Sequence, residues 1–270
     1  MMTEELNSFP QVLTIAGTDS GGGAGIMADL KTFQMQHVFG TAVVVAVTAQ
    51  NTLGVQDSFL LPLEMVDAQF ASLASDFKIK ACKTGMLGDA AHVHQVALNL
   101  QKYDFGPVTI DPVMVAKGGA PLLSQDAIAT VKNELLPLAN LITPNLPEAE
   151  ALTGIKATSE QEYPQLAQSL QKMGVKNVLI KGGHSNAEVV RDYALLADGT
   201  DFWVSSPRTH TNRTHGTGDT LAAAITAQLA LGHTLGEAIK IGKQYVTKAI
   251  EQTIQVGHGH GPLNHWVKVD

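Results

Sequence analysis

The chain is short of cysteine, of basic runs and of long apolar runs, and each shortage removes a class of function. Cys82 is its one cysteine. A disulfide framework is therefore excluded, as is any cysteine-rich metal site. Lys and Arg number 18 against 25 Asp and Glu, for a formal net charge of −7. With no basic cluster, neither nucleic acid nor an acidic membrane surface is expected as a partner. A small anionic ligand stays open, because a local site can oppose the global charge. The most apolar run, residues 41–47, is far too short to span a bilayer. The opening residues, MMTEELNSFPQ, lack the basic start and apolar core of a signal peptide. A cytoplasmic location is the resulting expectation. What is present, 44% hydrophobic and 16% charged residues over 270 positions, suits a compact enzyme rather than a disordered chain.

Short continuous apolar segments read as strands covered on both faces: Val12–Ala16, Ala42–Val47, Val108–Ile110, Leu141–Ile142 and Val178–Ile180. Apolar positions at helical spacing lie between them, over Ala24–His37, Val66–Ser75, Ala91–Gln101, Ser124–Leu136, Pro147–Leu152 and Ser159–Met173. This alternation predicts a three-layer α/β/α domain with a mostly parallel central sheet. Arg191–Leu196 and Thr200–Val204, joined through Asp198-Gly199, predict a small β-hairpin near residues 190–205. Two helices, Thr217–Leu231 and Leu235–Ile250, follow. No repeat or long linker divides the chain, so residues 1–270 read as one domain.

Chemistry is expected beyond the carboxyl ends of the strands. The segment Thr214-His215-Gly216-Thr217-Gly218-Asp219-Thr220 opens a helix. Its unpaired N–H groups and dipole attract anions, and Asp219 stands in the same field. Gly, Thr and Asp are also ordinary helix starters. Lys181-Gly182-Gly183 leaves a buried strand, which places a lysine to meet a phosphate. After the first strand, Gly17-Thr18-Asp19-Ser20-Gly21-Gly22-Gly23-Ala24-Gly25 lets backbone approach a ligand, and Asp19 could bind a hydroxyl or ring nitrogen. It matches neither a Walker nor a dinucleotide fingerprint.

Gln50 offers a donor and an acceptor to a heteroaromatic edge, or caps a turn. Met86 reads as core filler or as a substrate wall. Asp111 ends another strand. Lys117-Gly118-Gly119 could hinge a lid or form a plain loop. Asn145 and Glu148, three apart at a helix start, read as a capping pair or as holders of waters around Mg²⁺. His258 and His260 resemble a metal tract, but no Glu or Cys accompanies them at ligand spacing. Together these pieces point to phosphoryl transfer.

The stretches LTIAGTDSGGGAGIMADLKTF, VTAQNTLGV, KTGML, DPVMVAKGGAPLLS, LITPNLPEAEAL, IKGGH and THGTGDTLAAAI run in order from residue 13 to 225. On these the chain resembles the ribokinase-like kinases, specifically the hydroxymethylpyrimidine and phosphomethylpyrimidine kinases of thiamine biosynthesis. The resemblance implies ATP and Mg²⁺ as cofactors and two successive phosphorylations of an aminopyrimidine. It implies Asp219 as general base and Gly216, Thr217 and Gly218 as anion hole. Lys181, with Thr217 and Gly218, would contact ATP. Asp111, Asn145 and Glu148 would organise Mg²⁺. Gly17, Asp19, Gln50 and Met86 would line the pyrimidine pocket, with Lys117 on the lid. A homodimer is a further implication. This kinase type usually has Cys where this chain has Asp219, whereas ribokinase and many pyridoxal kinases carry Asp. Pyridoxal or pyridoxine kinase activity on the same fold is thus the alternative reading.

Overall fold

Residues 8–114, 123–183 and 187–268 are described by a computed structural model of the chain. Nine strands form one sheet in the order β3-β2-β1-β4-β5-β6-β7-β8-β9. β1 (Gln11–Gly17), β2 (Phe39–Asn51), β4 (Ile79–Thr84), β5 (Val108–Ile110), β6 (Leu141–Ile142) and β7 (Asn177–Ile180) pair in parallel with their neighbours among this set. Apolar side chains fill both faces. Leu13, Ile15 and Cys82 pack on one side with Phe70, Val93, Val96 and Leu166. Leu141 and Leu179 pack on the other with Leu221, Ile225, Ile239 and Tyr245. The predicted α/β/α layering is the observed one.

β3 (Gly54–Leu60) shows no continuous apolar run, and its residues are largely exposed at the sheet edge. Its antiparallel pairing with β2, through Gln50↔Val55 and Asn51↔Gly54, carries β2 past its expected end at Val47. Gln50 therefore sits within a strand, not after one. The expected hairpin is β8 (Val189–Leu195) with β9 (Asp201–Pro207). It is an extension of the main sheet, since β8 pairs antiparallel with β7.

The helix expected over 124–136 breaks into α4 (Gln125–Thr130), a π-helical turn (Val131–Leu135) and a 3₁₀ turn (Leu136–Leu138). Pro137 has no N–H to continue the α ladder, so the last turns widen and then tighten. The remaining helices are α1 (Gly25–Met35), α2 (Leu63–Asp76), α3 (Ala90–Lys102), α5 (Leu146–Thr153), α6 (Tyr163–Gln171), α7 (Thr217–Ala230) and α8 (Leu235–Glu251). No described helix is long and apolar enough to cross a membrane.

β1 connects outward to β2, while β4 lies on its other side. Strand order thus reverses between β1 and β4, and a crevice forms at their carboxyl ends. α7 packs against α1, β1 and β4, which brings its N-terminus to that crevice.

Candidate active site

The start of α7 is shaped by Gly216, whose φ of 81° lies in the left-handed region. Glycine adopts this conformation without steric cost. It is also the residue that fits the space, because a Cβ here would lie 1.8 Å from the Gly23 carbonyl oxygen. The turn therefore presses the α7 start against the glycine loop after β1. The N–H groups of Gly216, Gly218 and Asp219 carry no hydrogen bond among the described residues, as expected of a first helical turn. Thr217 turns both its N–H (3.3 Å) and its hydroxyl (2.7 Å) back onto the Thr214 carbonyl. The open donors are therefore three N–H groups flanking Thr217, with the Asp219 carboxylate beside them.

Two ion pairs, one partly and one fully buried, lie against this turn. Lys181 Nζ meets Asp111 Oδ1 at 2.6 Å, and Thr143 Oγ1 donates to the same oxygen at 3.2 Å. A Cβ on Gly218 would come within 3.1 Å of Lys181 Nζ and 3.3 Å of Asp111 Oδ2, so Gly218 keeps the pair in contact with the helix start. Burial opposes the Lys181 charge, but Asp111 and Glu148 outweigh it and raise its pKa. Lys83 forms the second pair with Asp29, at 2.8 and 3.0 Å, and stands 3.9 Å from Asp219 Oδ1.

Asn145 and Glu148 resolve as a capping box: the Glu148 N–H donates to Asn145 Oδ1 at 2.9 Å, and the Asn145 N–H donates to Glu148 Oε2 at 2.8 Å. Burial pushes the Glu148 carboxyl up to about 7 against the pull of Lys181, with Asp111 adding to the rise. Asp111 Oδ2 has no hydrogen bond among the described residues. No group of three or more His, Cys, Asp or Glu converges to hold a metal among them. A protein cage is thus not what this donor set offers. Hard oxygens around a free carboxylate edge do suit Mg²⁺, which keeps most of its waters.

On the other side of the crevice, Gly17 and Met86 touch: the Gly17 N–H donates to the Met86 carbonyl at 3.0 Å, and a Cβ on Gly17 would lie 2.4 Å from Met86 Cε. Asp19 is buried, and its oxygens accept from the N–H groups of Gly21, Gly23 and Ala24. His215 Nε2 lies 2.8 Å from Asp19 Oδ2 and 3.2 Å from Gln50 Nε2. Burial would raise the Asp19 carboxyl, but the bonds from His215 and the loop amides hold it below its ordinary range. Asp19 thus organises the loop and joins it to His215 of the anion-binding turn, with Gln50 beside that contact. Lys117 lies outside the described residues.

Three contributors escaped the sequence reading. Asp29 and the role of Lys83 had one faint signal, a charge within an otherwise apolar segment. His265 had none. It is buried and reaches Thr220 Oγ1 of α7 through Nε2 at 3.0 Å.

Open N–H donors, two lysines and a carboxylate, gathered where a mostly parallel sheet reverses its strand order, are the working parts of phosphoryl transfer. Fold and site define a ribokinase-like kinase. The chain belongs to the phosphomethylpyrimidine kinase family, whose model matches residues 19–264. It is 54% identical over 264 residues to a hydroxymethylpyrimidine/phosphomethylpyrimidine kinase of Haemophilus influenzae, covering 97% of this chain and 98% of that one. Among solved structures it is similar to an ADP complex of Bacillus subtilis pyridoxal kinase, with a TM-score of 0.88, 35% identity, and 96% and 98% of the two chains covered. It is also similar to the phosphomethylpyrimidine kinase of Clostridium difficile 630, with a TM-score of 0.79, 38% identity, and 89% and 99% covered.

Proposed function

We propose that the whole chain acts as one kinase domain that phosphorylates 4-amino-5-hydroxymethyl-2-methylpyrimidine and then its monophosphate, with ATP as donor. The observation that carries this is the α7 start, where the Asp219 carboxylate stands beside unpaired N–H groups and above the Lys181–Asp111 pair. The family match supplies the substrate class. In the first transfer Asp219 accepts the hydroxymethyl proton, the acceptor oxygen bonds to the γ-phosphorus, and the bond to the β-phosphate oxygen breaks to release ADP. The N–H groups of Gly216, Gly218 and Asp219 face the charge on the transferring group, and Lys181 draws charge from the leaving phosphates. Asp111 directly, and Asn145 and Glu148 through waters, would hold Mg²⁺, which when bound neutralises phosphate charge. Gly17, Gln50 and Met86 would line the pyrimidine, with Asp19 and His215 fixing the glycine loop beside them.

The second acceptor differs in kind. A phosphomonoester has its second pKa near about 6 and is already ionised at neutral pH, so it needs no base. Asp219→Asn should therefore lower the first transfer by about 10²- to 10⁴-fold, the usual worth of a general base. The second transfer should change little, and ATP should still bind. A variant that keeps the first transfer removes Asp219 from the role of base.

A pyridoxal or pyridoxine kinase is the second reading, favoured by the likeness to the Bacillus subtilis pyridoxal kinase and by Asp at position 219. A cytoplasmic homodimer belongs to the leading proposal. Val47 and Phe59 face each other across β2 and β3, 46% and 65% exposed, and offer an apolar surface for a second copy. Sedimentation of the full chain as a monomer would remove the dimer from the account.

A further inference from the structure

We propose that Lys83, anchored by Asp29, is a positioning residue that holds the Asp219 carboxylate for the first transfer; this rests on the reading of Asp219 as the base. Lys83 lies in a central strand, opposite Thr14 of β1 and Thr109 of β5. Its side chain is fully buried, as is that of Asp29 on α1. Two contacts from Nζ go to the two oxygens of Asp29, at 2.8 and 3.0 Å. Thr14 Oγ1 donates to Asp29 Oδ2 as well. Three hydrogen bonds thereby hold the aspartate in place.

The residual field of the ammonium falls on Asp219, 3.9 Å away. No hydrogen bond fixes the Asp219 side chain among the described residues, and Lys83 is its ion-pair partner there. Gly85 lies beside both groups: a Cβ built there would be 3.7 Å from Lys83 Nζ and 3.9 Å from Asp219 Oδ1. Stability alone gives no reason for the pair. Apolar replacements of a buried ion pair are often neutral or stabilising, because two charges must be stripped of water. An ammonium beneath the reacting carboxylate does have a catalytic use. Its charge attracts the carboxylate and sets the direction of the oxygens. Asp29 limits that effect by sharing the charge. Among the described residues Lys181, at the end of β7 and paired with Asp111 at the end of β5, is a further charge that acts on the base.

The two ends of the pair give the proposal opposite signatures. With the full chain, the first transfer is measured against pH for Lys83→Met, Asp29→Asn and Asp219→Asn, with ATP affinity measured alongside. Lys83→Met should lower kcat about tenfold or more at neutral pH. It should also move the acid limb of the kcat profile upward by about one unit, leaving ATP affinity within a fewfold. Asp29→Asn, close in shape, leaves the ammonium to Asp219 alone and should move the limb downward. Packing damage would lower kcat in both variants without splitting the limbs. If Lys83→Met does not fold, the Asp29→Asn limb still decides. Limbs that stay with the wild type, or move together, overturn the proposal. Survival of the first transfer in Asp219→Asn would instead overturn the base assignment beneath it.

Discussion

Replacing Gly216 by alanine probes the contact on which the anion-binding turn depends. Two costs separate cleanly. The first is conformational: φ is 81°, where a residue with a Cβ is disfavoured by about 1–2 kcal/mol. The second is steric: the new Cβ would stand 1.8 Å from the Gly23 carbonyl oxygen and 2.9 Å from its carbon. Backbone cannot yield as a side-chain tip does, so the α7 start and the glycine loop must part by about 1 Å. Misplacement of that size at a reacting centre costs about 10²-fold in rate. Gly199, in the β8–β9 turn, is the control, with φ of 85° and nothing within 4 Å of an added Cβ. Gly199→Ala should lower Tm by about 2–4 °C, the effect of roughly 1 kcal/mol in a chain of this size, with kcat unchanged. Gly216→Ala should lose more stability and about 10²-fold or more in kcat for the first transfer. Steady-state ADP release and thermal melts on both variants read this out. A Gly216→Ala enzyme with kcat near wild type would refute the argument that this turn shapes the anion site.

Two other outcomes follow from contacts elsewhere. Gly17→Ala places a Cβ 2.4 Å from Met86 Cε, a flexible tip that can move into the crevice. The protein should fold, with KM for the pyrimidine raised about tenfold, near 1.4 kcal/mol, and KM for ATP unchanged. His265 is buried, and burial first, then the Lys31 charge, lowers its pKa from 6.5 to about 4. Because the folded value is depressed, this stability is complete above pH 6.5 and is lost as pH falls through about 4. Denaturant unfolding at neutral pH and near pH 4 should show a loss of at most about 3 kcal/mol from this group, absent in His265→Gln. Equal acid sensitivity in the two proteins would contradict the burial argument.

Legibility in the sequence followed how local each cause is. Val12–Ala16 could be read as a doubly covered strand because both of its faces are apolar, and it is the core of β1. The capping pair at Asn145 and Glu148 was legible because a cap is made within one helical turn. The same spacing could not say whether those oxygens also serve a metal. β3 was not legible, since a short, largely exposed edge strand of mixed polar and apolar residues is defined by its partner rather than by its own pattern. Lys83 and Asp29 are 54 positions apart, and nothing near either one announces the other. The bonds of Asp19 were likewise hidden. Its place after a strand suggested a substrate contact, but three loop amides and His215, distant in the chain, take up its oxygens.

The central claim is a kinase that accepts the aminopyrimidine both before and after its first phosphorylation. Its most direct test is ADP release from Mg·ATP with the pyrimidine monophosphate as acceptor, beside parallel reactions with hydroxymethylpyrimidine, pyridoxal and pyridoxine. Turnover of the monophosphate to the diphosphate is the predicted result. Turnover of pyridoxal or pyridoxine, with none of either pyrimidine, would contradict the account and make this chain a vitamin B6 kinase.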